Sequence, residues 1–389
     1  MEVQDIRVLI VDDSALMRNL ISRVVEQSPG LTVVGKAMNG QFALESIPVC
    51  KPDIIVLDIE MPVMNGLQFL EERKKARIDI PVVMLSSLTT EGASVTMRCL
   101  ELGASDFLTK PGGPSGGDLT TALARLPVLL QSYGGAYVRA KNTAVIANRT
   151  PSMYSRALDG LQSTSGRIEK SKDVLSNVVF PSKPVKEKTV ITPLRDSGKI
   201  EIIAIGISTG GPNALREVFR DISPEVKQPI LVVQHMPAGF TAEFANSLNS
   251  ICPLEVKEAQ DGDILKPGRI LIAPGNYHIY VERKKLAVVV RLSDGPQRNG
   301  HRPSADVLFE SVAAVYQNNA LGVIMTGMGN DGAVQLAEMR RQGAWTLGQD
   351  EESSVVYGMP KVAWEMGGVQ KQVSLHDMAK EISALALKY

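Results

Sequence analysis

Cysteine is scarce in this chain, with three residues at positions 50, 99 and 252. They lack the close spacing of a metal knuckle, and each sits in or beside an apolar segment, so buried free thiols are expected. Net charge is missing as well: Lys and Arg number 42 and Asp and Glu number 42, so no broad basic face points to nucleic acid. Long hydrophobic runs are absent, since no window approaches the roughly 18 apolar residues a membrane helix needs. The N-terminal "MEVQDIRVLIVDDS" has no charged region followed by a long apolar stretch. These gaps disfavour nucleic-acid binding and direct membrane insertion, and a cytoplasmic protein is expected.

Periodicity is plentiful. Short apolar runs alternate with longer helical patterns, as in "RVLIVDD", "ALMRNLISRVVEQ", "LTVVGKA", "GQFALESIP" and "DIIVLDI". Such alternation predicts a parallel sheet wrapped by helices. About five strand and helix units fit before the pattern fades near Pro127. Composition then shifts to Ser, Thr, Pro, Lys and Arg, and alternation resumes at Ile200. With 389 residues available, two domains are expected: 1–130, a flexible linker over 131–199 with room for a short helix around "MYSRALDGL", and 200–389. In the second domain, "ILIAPGNYHIYVERKKLAVVVRLS" predicts an antiparallel hairpin around "ERKK".

Functional groups of an open parallel sheet gather beyond the carboxyl ends of its strands. In the first domain those ends carry Asp12, Asp13, Asp58, Ser86, Ser87 and Lys110. Crowded carboxylates repel one another unless a cation sits among them, and a hard ion such as Mg2+ suits oxygen ligands. Asp58 could then accept a phosphoryl group whose charge is met by Lys110 and the Ser86 hydroxyl.

In the second domain, "IGISTGGP" lacks the middle glycine of a dinucleotide fingerprint and the Gly-Lys-Ser/Thr of a P-loop. It fits G-x-S-x-G, a strand-to-helix turn that exposes Ser208 near a helix N-terminus. A serine nucleophile needs a base, and the base an orienting carboxylate. His235 in "VVQHMP" and Asp331 in "TGMGNDG" stand at the ends of later strands and supply both. His301 competes for the base role, while His278 in the hairpin and His376 at the last helix read as structural or surface residues.

"VLIVDDS", "DIIVLDIEMPVMNGL", "MLSS" and "DFLTKP" resemble the receiver domain of two-component response regulators, which implies a flavodoxin-like, doubly wound five-stranded sheet. The resemblance implies Asp58 as the phosphorylation site, with Asp12, Asp13 and the Glu60 carbonyl around Mg2+. It further implies Ser86 as switch hydroxyl, Lys110 as phosphate partner and a cis bond before Pro111. Pro127, inside the expected last helix, departs from the pattern. "GISTGGP", "VVQHMP", "HRPSADVLF" and "TGMGNDGA" resemble the catalytic domain of the chemotaxis protein-glutamate methylesterases, which also deamidate receptor glutamines. That implies a Rossmann-like α/β domain with a mostly parallel sheet, in which Ser208 is the nucleophile, His235 the base and Asp331 the orienting acid. The N–H groups of Thr209 and Met328 would form the oxyanion hole, with no cofactor for the ester chemistry. The implied partners are methylated chemoreceptor cytoplasmic helices and a chemotaxis histidine kinase, and the unphosphorylated receiver would cover the esterase cleft. Phe107 is expected to pack in the receiver core rather than at that contact. A receiver with a non-catalytic, partner-binding output domain and a serine esterase of small-molecule esters stay open as alternatives.

Overall fold

The computed structural model describes residues 5–110, 123–149 and 189–389. The bond before Pro111, the short helix around 153–161 and the middle of the expected linker lie outside them.

Five apolar runs form the first sheet: β1 (Ile6–Val11), β2 (Leu31–Ala37), β3 (Ile54–Asp58), β4 (Val82–Ser86) and β5 (Asp106–Thr109). They pair in parallel in the order β2-β1-β3-β4-β5. Between them run α1 (Ala15–Glu26), α2 (Gly40–Cys50), α3 (Gly66–Lys75) and α4 (Thr90–Glu101). Each helix begins after a residue whose side chain accepts an otherwise orphaned backbone N–H: Ser14, Asn39, Asn65 and Thr89. One such cap contributes typically about 1 kcal/mol.

The next helix corrects the expected linker. Residues Leu126–Arg149 form α5, which packs on β1 and β3, so the chain past residue 130 is ordered helix. Pro127 is its second residue, where a missing N–H costs nothing, so the proline marks the helix start. At the other end of the expected linker, Thr189, Leu194 and Gly198 donate backbone hydrogen bonds of 3.0, 2.8 and 3.1 Å to the second domain. The stretch from residue 189 to Lys199 is therefore tied down.

The second domain opens with β6 (Ile202–Ile207), α6 (Gly211–Asp221), β7 (Ile230–Gln234), α7 (Phe240–Asn249), β8 (Glu255–Glu258) and β9 (Arg269–Ile272). The expected hairpin follows as β10 (His278–Arg283) and β11 (Val288–Ser293). The fold closes with α8 (Ala305–Tyr316), β12 (Ala320–Ile324), α9 (Ala333–Gln342), β13 (Trp345–Gln349), α10 (Met359–Glu365), β14 (Lys371–Val373) and α11 (Leu375–Lys388). Seven of these strands form one parallel sheet, β14-β13-β12-β6-β7-β9-β8. All six residues of β6 are buried, as a strand covered on both faces requires. Ile203, Ile205 and Ile207 enter one core and Ile202 and Ala204 the other, following the two-residue alternation of a strand. Each buried isoleucine contributes about 1.5–3 kcal/mol relative to exposure.

The domains meet where β5 and α4 face α6 and α7. Phe107 stacks on Phe240 with ring centroids 5.2 Å apart and planes 7° from parallel, which places it at the interdomain contact and corrects the expectation of a purely receiver-core residue. Both environments bury an aromatic side chain, and a sequence pattern cannot tell them apart. Asn213 donates to the carbonyls of Ala104 and Ser105, both at 2.9 Å. At the rim, Ser247 donates to Glu101 at 2.8 Å and Arg216 lies 3.5 Å from the same carboxylate. Among the described residues, no helix is long and apolar enough to cross a membrane.

Candidate active site

The turn after β6 carries Ser208 because its backbone cannot be built from larger residues. Gly210 is left-handed, with φ of +77°. A Cβ on Gly211 would lie 1.9 Å from Gln234 Oε1. That buried carboxamide donates through Nε2 to the carbonyls of Ser208 (3.0 Å) and His235 (3.1 Å), bracing the ends of β6 and β7 together. Its Oε1 has no hydrogen-bond partner among the described residues.

Ser208, His235 and Asp331 form a continuous chain. His235 Nδ1 lies 3.0 Å from Ser208 Oγ, and Nε2 lies 2.8 Å from Asp331 Oδ2. The proton therefore belongs on Nε2, where the carboxylate accepts it, leaving Nδ1 free to accept from the serine. Asp331 is 1% exposed and richly supplied with donors. Ser304 Oγ (2.6 Å) and Asn299 Nδ2 (2.9 Å) donate to Oδ1, and the N–H of Ala305, at the start of α8, donates to Oδ2 (2.6 Å). Burial alone would push this carboxyl up. The hydrogen bond and charge of His235, then Ser304 and Asn299, outweigh it and hold Asp331 well below the usual carboxylate range.

Backbone N–H groups flank the serine. Ser208 N donates to the Thr326 carbonyl at 3.0 Å, and Gly327 N to that of Val356 at 3.0 Å. A Cβ on Gly327 would lie 2.8 Å from Ser208 Cβ, so the backbone leading into Met328 runs beside the serine. His278 is buried, with Nε2 3.0 Å from the Pro296 carbonyl, and His376 lies in the first turn of α11; neither reaches the serine. His301 makes no hydrogen bond to Ser208 among the described residues; it lies flat against His235 instead.

The cleft holding Ser208 and His235 is walled on its other side by Asp106, Phe107, Thr109 and Arg125 of the first domain. Asp106 Oδ2 accepts the N–H of Gly210 at 2.9 Å, and Arg125 donates to the Thr209 hydroxyl at 3.2 Å. Burial pushes the Asp106 carboxyl up, against the lowering effect of the Gly210 N–H and the Arg125 charge. Asp106, Arg125, Asn299, Ser304 and Gln234 were not singled out in the sequence, because their roles arise only when distant segments meet.

At the carboxyl edge of the first sheet, oxygens of Asp12, Asp13 and Asp58 lie within 4.8 Å of one another. Lys110 Nζ stands 2.9 Å from Asp12 Oδ2 and 2.8 Å from Asp58 Oδ1. The buried Asp12 Oδ2 forms no aligned hydrogen bond in spite of that ion pair. Three carboxylate oxygens gathered this closely at one sheet edge fit a hard divalent ion. Burial raises the Asp58 carboxyl to about 6, with Lys110 opposing the rise. Ser86 is fully buried and its hydroxyl is engaged by α4, accepting from Thr96 at 2.6 Å and lying 3.3 Å from the Gly92 carbonyl. The Glu60 side chain is exposed and accepts from Ser87 at 3.1 Å.

Comparison with known proteins covers both halves. A family model described as CheB methylesterase matches residues 203–382, and one described as response regulator receiver domain matches residues 8–123. The chain is 56% identical over 381 residues to the protein-glutamate methylesterase/protein-glutamine glutaminase of Treponema denticola, with 98% of each chain covered. It is 52% identical over 391 residues to the protein of the same name from Treponema pallidum, covering 97% of this chain and 96% of that one. Among solved structures, the CheB methylesterase catalytic domain of Thermotoga maritima is 35% identical, covers 48% of this chain and 100% of that chain, and superposes with a TM-score of 0.47.

Proposed function

Starting from the family to which this chain belongs, the protein-glutamate methylesterases/protein-glutamine glutaminases with an N-terminal receiver domain, we propose that it is a phosphorylation-activated chemotaxis esterase working through Ser208, His235 and Asp331. The observation that carries this reading is the hydrogen-bonded chain of those three residues in a cleft walled by the receiver's own β5. The substrate is a methylated glutamate on a chemoreceptor cytoplasmic helix. Ser208 Oγ attacks its γ-carbonyl while His235 Nδ1 takes the proton. Asp331 holds Nε2–H and stabilises the imidazolium. The N–H groups of Thr209 and Met328 receive the oxyanion. His235 then returns the proton to the departing methoxy group, methanol leaves, and a water activated by His235 hydrolyses the acyl-serine to free glutamate. A glutamine follows the same path with ammonia as the leaving group. General-base catalysis contributes about 10²- to 10⁴-fold, and one oxyanion donor about 10²- to 10³-fold.

Asp58 is the phosphoryl acceptor, supplied by a chemotaxis histidine kinase. Asp12, Asp13, Asp58 and the Glu60 carbonyl would hold Mg2+, which when bound neutralises charge between the carboxylates and an incoming phosphoryl group. Lys110 is placed to pair with the phosphoryl oxygens, and Ser86 reaches them by turning its hydroxyl away from α4. An acyl phosphate at Asp58 carries about −1.5 to −2 charges where the carboxylate carried −1, competes for Lys110 and biases β5, whose Asp106 and Phe107 close the cleft.

The test is methanol release from methylated receptor fragments by the full-length protein, with and without Mg2+ and a small phosphoryl donor. The rate is expected to rise with the donor, and Asp58→Asn to lose that rise while keeping the basal rate. A folded sample that releases no methanol in either condition would refute the esterase assignment; a donor response surviving in Asp58→Asn would move the switch elsewhere.

The covering contact is separately measurable. Phe107→Ala removes a ring pair worth about 0.5–1.5 kcal/mol, so the unphosphorylated rate should rise roughly 2- to 10-fold. Glu101→Lys, at the exposed rim opposite Arg216, tests the same contact without touching a core and should give a smaller rise, bounded by the ~1 kcal/mol of a surface pair. Basal rates unchanged in both variants would show that this contact does not restrain the enzyme.

A further inference from the structure

The triad accounts for both nitrogens of His235 and for neither face of its ring. An imidazole held at Nδ1 and Nε2 can still rock about the line joining its two partners, and each degree of rocking misdirects the lone pair aimed at Ser208. The fold answers this with a single turn. Arg298 and His301 exchange backbone hydrogen bonds of 3.1 and 3.0 Å, while Asn299 and Gly300 between them adopt φ of +54° and +76°. Two successive left-handed residues are what a tight hairpin turn requires, and Asn-Gly is the pair that provides them most readily. The two ends of the base are served from this turn. Asn299 Nδ2 donates to Asp331 Oδ1 at 2.9 Å and to Asp306 Oδ2 at 2.6 Å. The His301 ring lies on the His235 ring with centroids 3.8 Å apart and planes 11° from parallel.

We propose that His301 is a positioning residue for the general base, fixing the plane of His235 through its ring face and not through its nitrogens. The inference rests on the Ser208–His235–Asp331 reading above. A separation of 3.8 Å is van der Waals contact, so the ring blocks rocking toward it and covers that face from water. The charged groups around His301 agree with a neutral ring there. Burial pushes its pKa down to about 4, helped by His235 and by Arg125 from the receiver side and opposed by Asp331. On its own turn, Arg298 is paired with Glu310, and Arg302 is engaged by the carbonyls of Asp294 and Gly295. His301 therefore presents an uncharged flat surface at neutral pH, and so weak a base is ill suited to replace His235.

Two readouts on the full-length, phosphodonor-activated protein test this: kcat and KM for methanol release, and the second-order rate at which a fluorophosphonate labels the nucleophilic serine. His301→Ala should lower kcat and the labelling rate together by about 10- to 100-fold, the loss that a misplaced catalytic group brings, with KM little changed. His301→Phe, flat but without ring nitrogens, should restore both close to wild type. His301→Leu fills the space without a flat face and should fall between; it replaces the alanine variant should that one fail to fold. Wild-type kcat in His301→Ala would overturn the proposal, and so would a phenylalanine variant no better than leucine. Labelling of Ser208→Ala at the wild-type rate would instead refute the triad itself, whatever the His301 variants do.

Discussion

Ser208→Ala is expected to lower kcat for methanol release by on the order of 10⁵- to 10⁶-fold. Without Oγ there is no acyl intermediate, and His235, at hydrogen-bond distance from the missing hydroxyl, has no other nucleophile placed for it. What survives is oxyanion stabilisation and binding, which in serine hydrolases retains about 10³- to 10⁴-fold over water. The variant should still accept a phosphoryl group at Asp58, since that site lies on the other sheet, and this serves as the control for folding. Methanol release within tenfold of wild type would remove Ser208 from the chemistry.

Asp331→Asn should cost about 10³- to 10⁴-fold in kcat with little change in KM, by a different route. Asp331 accepts from His235, Ser304, Asn299 and Ala305 at once. An amide offers one oxygen. Turned toward Ser304 and Asn299, it points its NH2 at His235 Nε2, so the imidazole proton moves to Nδ1 and faces the serine it should deprotonate. Turned the other way, its NH2 meets two donors. Either orientation leaves buried donors unpaired at about 1–3 kcal/mol, so the unfolding free energy should fall too. The pH dependence has a definite sign. A carboxyl held below its usual range stabilises the fold fully above the unfolded value of about 3.9, and that stabilisation is lost as pH falls through and below it. Urea titrations at neutral pH and near pH 3 should therefore find the gap between wild type and Asp331→Asn narrowing in acid; a gap that widens would contradict the assignment.

Much of this is legible in the sequence, and the reasons are physical. Strands buried on both faces read as unbroken apolar runs, and strand-end residues such as Asp58, Ser208 and His235 follow them directly. Helix α5 was not legible, because Gly134 and Gly135 weaken helix propensity at its centre. Close packing explains them: a Cβ on Gly134 would come within 2.5 Å of Ile6. The support around Asp331 was equally hidden, since Asn299 and Ser304 reach it from about thirty residues away. The interdomain role of Phe107 is not legible, because apolar patterning records burial and not what does the burying.

Strand β5 closes the esterase cleft with Asp106 and Phe107 and is followed at once by Lys110, the partner of Asp58. Equilibria that share an element must be reciprocal: the factor by which a modification at one site eases binding at the other is the factor by which that binding favours the modification. A receptor segment that displaces β5 from Ser208 therefore stabilises the phosphorylated form of the receiver to the same extent. The receptor is then an effector of the signalling domain as well as its target, and the stock of uncleaved ester bears on the balance between the phosphorylated and unphosphorylated forms.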